Sequence, residues 1–240
     1  MKQLPLKYTS LMKAAAKVRV PQTGLITPAD LPGLIAEFSA KDAALSEQLS
    51  EVELTTGATL DRQLDRINQI LGDVAPAPDW QKVLRRTLDN HLTNWRDTPL
   101  AVRSAAGHED GATGSAAGLY ESVIGVTGES AIFAAILTVW KSFYTRAAIV
   151  ARLAANQAAQ DERMSIMIQP VVTAAAAGVA FSMNPVTGGE PICDYVAGLS
   201  GDLLDGAETG LSMTPSQRPT DSTDPLGPTG AAAVFAALAD

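Results

Sequence analysis

The chain has 240 residues, 46% of them hydrophobic and 18% charged, with a formal net charge of −8. That length buries a sizeable core as one large domain or two lobes, and the hydrophobic content excludes a disordered chain. The acidic balance excludes a general nucleic-acid binder, although 18 lysines and arginines leave room for a local phosphate site.

In chain order, residues Met1 to Phe38 read as a compact opening unit. Val18 to Val20 with Pro21 suggest a short strand ending in a turn. Thr27-Pro28-Ala29-Asp30 has the cap, first-turn proline and early acid of a helix start. From Lys41 to Leu71, Leu45, Leu49, Leu60, Leu64, Ile67 and Leu71 recur at helical spacing, with a break near Thr55 to Gly57 that predicts two helices. Pro76 and Pro78 mark a linker, and Leu84, Leu88, Leu92 and Trp95 predict another helix. A strand at Leu100 to Arg103 precedes a loop of small residues. A long helix follows, with Ile132, Ile136, Val139, Phe143, Ala147, Val150 and Leu153 on one face. Ser165 to Gln169, Gly178 to Ser182 and Ile192 to Val196 read as strands, and Asn184-Pro185 with Gly188-Gly189 as the turn between the last two. Gly206 to Gly230 reads as a surface loop, and Ala231 to Ala239 as a final helix. Helices and strands mix without a βαβ alternation, which argues for α+β.

The stretch AVRSAAGHEDGATGSAAGLY, Ala101 to Tyr120, carries the chemistry. An apolar run delivers Arg103 into a loop of Gly, Ala, Ser and Thr, where backbone N–H groups can approach an anion and a guanidinium can fork onto phosphate oxygens. Glu109 and Asp110 suit a phosphate site that handles a metal or holds its own arginine. Arg103 therefore reads as a phosphate ligand, as a structural partner of Glu109 or Asp110, or as both.

In that order the segment resembles the N-terminal nucleotide-binding domain of the phosphoenolpyruvate synthase and pyruvate phosphate dikinase family, whose signature runs V-R-S-S-A-T-x-E-D-x-x-x-x-S-x-A-G. Val102, Arg103, Ser104, Ala106, Glu109, Asp110, Ser115, Ala117 and Gly118 fall on it without a gap. WKSFYTRAAIVAR, Trp140 to Arg152, is similar to the family's W-x-S-L-x-x-x-R-A-x-x-Y-R. IMIQPVVTAAAAGVAFSMNPVTG, Ile166 to Gly188, is similar to its V-x-V-Q-x-M-V-x-x-x-x-x-G-V-x-F-T-x-N-P-x-T-G. The resemblance implies an ATP-grasp-like fold of two lobes with ATP between them, a mixed or antiparallel sheet and an inserted helical region. On that basis residues 1–39 form an opening lobe and 40–98 the helical insertion. Residues 99–163 hold the phosphate loop and long helix, and 164–240 an adenine and metal lobe.

The resemblance also implies roles. Lys7, in LKYTSLMKAAAKVRVP, takes the position of an ATP-binding lysine, with Leu11 and Val20-Pro21 in register, although Leu6 replaces the family's preceding glycine. Gly118 matches a glycine whose backbone approaches the nucleotide, and Ser122 a position often held by Thr. Gln169 lies where the family reads adenine with a strand edge and an amide. Arg146 falls on a family arginine, and a salt bridge is the alternative. The family's metal segment G-L-G-E-x-V-V-x-G is altered here to Gly198-Leu199-Ser200-Gly201-Asp202-Leu203-Leu204-Asp205-Gly206. Ungapped, Gly201 stands at the glutamate; a one-residue shift brings in Asp202, a competent but shorter magnesium ligand. Asp194 can supply a second oxygen, and Gln217 takes the place of a glutamine near the phosphates.

Of the two histidines, His91 shares the apolar face of Leu84, Leu88 and Trp95 and reads as a core or boundary residue. His108 sits at a variable position of the loop. Nothing resembles the family's phosphorylated-histidine domain, and the chain stops before its D-I-E-W segment. The lone Cys193 excludes an internal disulfide. With no signal-like or bilayer-length apolar run, the expectation is a cytoplasmic protein with no membrane or nucleic-acid partner. The expected ligands are ATP and Mg2+. The expected partner is a histidine domain in trans or outside this chain, with pyruvate or another acceptor beyond it and little turnover by the chain alone. A non-catalytic nucleotide-binding module, or the ATP domain of a phosphotransferase with a different acceptor, is the alternative.

Overall fold

The computed structural model describes residues 4–50, 52, 58–106, 118–154, 164–198, 210–218 and 224–238. The chain divides into two compact units, Met1–Val171 and Val172–Asp240. Each is α+β with an antiparallel sheet. Among the described residues, no helix is long and apolar enough to cross a membrane.

The first unit opens with α1 (Leu6–Ala14), which turns over through Ala16 to Val18. No strand forms at Val18 to Val20, where Val18 lies 40% exposed and no strand among the described residues pairs with it. The strand β1 is Gly24–Ile26 instead, and it pairs with the strand β4 (Ser165–Pro170). The Thr27 to Asp30 motif closes a turn one step ahead of the expected helix. The Thr27 amide and hydroxyl both donate to Asp30 Oδ2, at 2.9 and 2.7 Å, and the helix itself, α2 (Leu31–Leu34), is four residues long.

The two helices expected before Leu71 are α3 (Phe38–Ser50) and α4 (Ala58–Gly72), with Leu45, Leu49, Leu60, Leu64, Ile67 and Leu71 all buried. The proline linker is pinned to α2 by an antiparallel bridge between Ile35 and Pro76. Helix α5 (Trp80–Asp89) ends before Leu92 and Trp95. Those two side chains are buried in the following turns, where Trp95 Nε1 donates to Asp89 Oδ1 at 2.8 Å. His91 consequently faces solvent rather than the core.

The sheet order is β1-β4-β2-β3, antiparallel throughout, with β2 at Leu100–Ala105 and β3 at Ser122–Val126. Strand β3 was not legible from the sequence pattern, because its SVIGV is broken by Gly125. There the β2–β3 register shifts and the glycine takes a positive φ of 82° that an L side chain rarely adopts.

The long helix is two. Helix α6 (Glu129–Ser142) and α7 (Arg146–Ala154) are separated by tight turns at Phe143 to Thr145, after which Thr145 Oγ1 accepts the Ala148 amide and starts α7. The break shifts the phase of the buried face, so Ala147 is exposed while Ala148, Ile149 and Arg152 are buried. At the start of α6, Glu129 takes Arg85 Nε at 2.7 Å and Arg96 Nε at 3.4 Å, and Arg85 first, then Arg96, holds its carboxyl below the usual range.

The second unit holds β5 (Ala176–Phe181), β6 (Ile192–Ala197) and β7 (Leu211–Met213) in that order, with α8 (Gly227–Leu238). The β5–β6 connection turns at Asn184, whose Oδ1 accepts the Val186 and Thr187 amides at 2.9 and 3.1 Å. The expected surface loop from Gly206 in fact contains β7, a turn of 3-10 helix at Pro215–Gln217 and the first turn of α8. Cys193, Tyr195, Met213, Ala231 and Phe235 form this unit's core. Tyr195 donates its hydroxyl to Asp224 Oδ2 at 2.7 Å, fastening β6 to the segment that leads into α8. Burial first, and then the Asp224 carboxylate, push the Tyr195 phenol up to about 12.

Candidate functional site

Strand β2 alternates about its pleat, with Leu100, Val102 and Ser104 on the buried side and Arg103 exposed between them. Antiparallel register sets Arg103 opposite Ser122 on β3 and opposite Met167 on β4. Ala101, two residues back on the same face, lies opposite Gln169. Arg103, Ser122 and Gln169 therefore share one face of one sheet, although 66 residues of sequence separate the first from the last. The helix α6 packs against β2, β3 and β4.

The environments of the three differ. Arg103 and Ser122 are exposed. Gln169 is 5% exposed, and its Nε2 donates to Thr23 Oγ1 at 2.9 Å, a hydroxyl that itself donates to the Pro21 carbonyl. This chain of bonds ties β4 to the residue before β1 and fixes the amide's orientation. Gly118 lies four residues before Ser122, exposed, at a φ of 76°, and a Cβ added there would meet nothing within 4 Å among the described residues. Its backbone is thus open to approach. Residues 107–117, including His108, Glu109, Asp110 and Ser115, lie outside the described residues.

Lys7 is half-buried on α1, a helix that runs beside β2. Arg146 does not join the sheet face. It begins α7 and is ion-paired with Asp61 of α4, both side chains more than half exposed. The salt bridge named as its alternative is present.

In the second unit, Asp194 on β6 accepts a hydrogen bond from the Ser212 hydroxyl on β7, its register partner. Gln217 ends the 3-10 turn, exposed, and its amide donates to the Thr214 carbonyl at 3.0 Å. Asp202 and Gly201 lie outside the described residues. Among the described residues, no group of three or more His, Cys, Asp or Glu could hold a metal ion. Cys193 is buried, and burial, then the Asp194 carboxylate, raise its thiol, so it has none of the thiolate character of a nucleophile.

Sequence reasoning passed over Arg152, the final residue of the WKSFYTRAAIVAR match. It is fully buried, with Nη1 donating to the Phe143 carbonyl at 2.8 Å. The motif contained it, but a buried arginine leaves no mark on a periodicity dominated by alanine and isoleucine.

Such a face, with an exposed guanidinium, a hydroxyl and an open glycine backbone beside a buried amide, suits an anion joined to a planar polar group. A family model described as the AMP/ATP-binding domain of pyruvate phosphate dikinase matches residues 4–217. A rifampicin phosphotransferase of Streptomyces sviceus is 28% identical over 181 residues, which cover 75% of this chain and 20% of the relative. A probable phosphoenolpyruvate synthase of Staphylothermus marinus is 28% identical over 148 residues, covering 60% of this chain and 18% of the relative. The prodigiosin synthesizing transferase PigC of Serratia marcescens is 35% identical over 112 residues, covering 46% of this chain and 12% of the relative. The matched part is thus a fifth or less of these relatives' own length. The chain belongs to the pyruvate phosphate dikinase AMP/ATP-binding domain family.

Proposed function

We propose that this chain binds ATP as the nucleotide domain of a phosphoenolpyruvate synthase-like or dikinase-like phosphotransferase of ATP-grasp-like fold. In this reading the phosphoryl group passes to a histidine on another domain or protein, and from there to an acceptor. The observation that carries it is the pairing of exposed Arg103 with Ser122 across the β2–β3 ladder, four residues from the open backbone of Gly118. Arg103 would fork onto phosphate oxygens while backbone N–H groups near Gly118 approach the others, and Lys7 would add a point charge. Gln169, held by Thr23, would present a fixed polar edge toward the purine. Chemistry of this kind asks little of a protein nucleophile. Positioning and neutralisation of phosphate charge do most of the work.

A magnesium ion that travels on nucleotide phosphates needs one or two protein carboxylates rather than a closed cage. Asp194 and Asp202 are the acids proposed for it and Gln217 for a phosphate, all in the second unit. Magnesium would supply charge neutralisation on the phosphates.

The acceptor is pyruvate or another molecule set by regions outside this chain. The names of the relatives point to more than one acceptor class, and the rifampicin phosphotransferase match covers three-quarters of this chain. The test is to incubate the chain with ATP labelled in its phosphates and a separately prepared histidine domain of a phosphoenolpyruvate synthase. Acid-labile, base-stable label on that domain is expected. A chain that binds ATP yet never labels any such histidine domain overturns the transfer step.

A further inference from the structure

Among the described residues, the segment that leaves the small-residue loop is fastened beside the break between α6 and α7. Two residues after Gly118, the Tyr120 ring stacks on Phe143 with centroids 5.8 Å apart and planes at 20°. The next amide, that of Glu121, donates to Ser142 Oγ at 3.1 Å, and that hydroxyl donates to the Val139 carbonyl at 2.6 Å. Ser142 ends α6 and Phe143 opens the break before α7. The loop's exit is therefore docked on the break between the two helices, and Ser122, opposite Arg103, comes directly after it.

Arg152 supports that platform from within. Its Nη1 donates to the Phe143 carbonyl at 2.8 Å, and its guanidinium carbon lies 3.8 Å from the centroid of the Phe143 ring. The residue has no solvent exposure, and Nε and Nη2 have no hydrogen-bond partner among the described residues. Burial pushes its pKa down, while Tyr120 first and Tyr144 second favour the charge. The Phe143 carbonyl and ring together with the Tyr120 hydroxyl do not balance the desolvation of a guanidinium, and an apolar side chain would fill the same space at less cost. Core packing alone does not account for an arginine here.

We propose that Arg152 is a positioning residue that, by holding Phe143 from both its carbonyl and its ring, fixes the dock for Tyr120 and so sets the backbone from Gly118 to Ser122 against Arg103. The inference rests on the reading that Arg103 and this segment hold nucleotide phosphates. It assigns no contact between Arg152 and the nucleotide. The role is to keep the loop's exit in one place, so that phosphate ligands on two neighbouring strands stay in register.

The test uses the whole chain with Arg152→Met and Arg152→Lys. Hydrogen exchange at the Tyr120 and Glu121 amides reads the dock directly and needs no nucleotide. Titrations of ATP and of adenosine read the consequence. Arg152→Met is expected to speed exchange at those amides and to weaken ATP by about tenfold, with adenosine affinity unchanged. Arg152→Lys, which keeps the charge but loses the planar fork, is expected to fall between Met and wild type. Unchanged exchange overturns the inference, as does an equal loss of ATP and adenosine, which would mark a merely structural residue. If wild type binds no ATP, the phosphate reading fails, while the exchange data still decide whether Arg152 holds the segment. Should Arg152→Met not fold, Ser142→Ala removes the acceptor of the Glu121 amide from the same dock. It must give the same phosphate-selective loss at smaller size, and its failure to do so overturns the inference.

Discussion

Replacing Gly178 by alanine tests the second unit where two backbones come closest. Gly178 faces Tyr195 across the β5–β6 ladder, and Val179 faces Asp194. A Cβ on Gly178 would lie 2.0 Å from the Asp194 carbonyl oxygen, 2.7 Å from Tyr195 Cα and 2.8 Å from Tyr195 Cβ. The nearest obstacles are main-chain atoms, so no rotamer change relieves the clash and the strands must part. Overpacking of this kind costs about 1–3 kcal/mol. Stretching the ladder hydrogen bonds beside the pair adds about 1 kcal/mol for each one lost. Alanine's narrower unfolded ensemble returns about 0.4–1 kcal/mol. With one ladder bond lost, the net loss is about 1–4 kcal/mol, carried by the unit Val172–Asp240. For a domain of that size it lowers the unfolding midpoint by about 4–30 °C. Differential scanning calorimetry of the full chain reads it. Gly72→Ala, with no atom within 4 Å of the added Cβ at the end of α4, serves as the contrast and is expected to stabilise by about 0.5–1 kcal/mol. A Gly178→Ala chain within about 0.5 kcal/mol of wild type would refute the close-approach argument.

Other outcomes follow from side chains already placed. The Tyr195 phenol is pushed up from 10.0 to about 12 by burial and by Asp224, so its contribution to stability is fully present below pH 10 and is lost as pH rises toward about 12. Ultraviolet titration of wild type against Tyr195→Phe should show a tyrosine step near pH 12 that the variant lacks; identical curves above pH 10 would contradict the buried Tyr195–Asp224 bond. Arg146→Ala breaks an ion pair with Asp61 in which both side chains are more than half exposed, so stability should change by no more than about 0.5–1 kcal/mol in urea melts. A larger loss would mean that the pair is worth more than its exposure allows, and a drop in ATP affinity without a stability change would assign Arg146 to the ligand.

Much of the first unit was legible because its signals are local. Leucines at helical spacing gave α3 and α4, and the apolar run Ile166-Met167-Ile168 gave β4, which is buried between two neighbouring strands. The misses share a cause, which is that tertiary partners decided them. Val18 to Val20 has strand composition but no strand pairs with it among the described residues, whereas Gly24–Ile26 has β4. The break between α6 and α7 is written in Ser142 and Thr145 hydroxyl bonds that an apolar period does not register. Strand β7, three residues ending in Met213, is too short to show alternation, and it exists because β6 offers an edge. For the candidate site, the residue types and order of VRSAA pointed to phosphate. What the sequence could not give was the register that puts Arg103 opposite Ser122 and aligns Gln169 on the same face. Nor could it name Asp61 of α4 as the partner of Arg146, or show Arg152 buried behind the loop's exit.

Whether this sheet face holds the phosphates of ATP is decided by calorimetric titration of ATP into the chain with and without Mg2+, beside Arg103→Ala. Wild type is expected to bind ATP, more tightly with Mg2+, and Arg103→Ala to bind it at least about tenfold more weakly, the worth of a lost charge-assisted fork onto phosphate. An Arg103→Ala chain that binds ATP as wild type does would place the nucleotide elsewhere, and a wild-type chain that binds none would leave the family fold without its ligand.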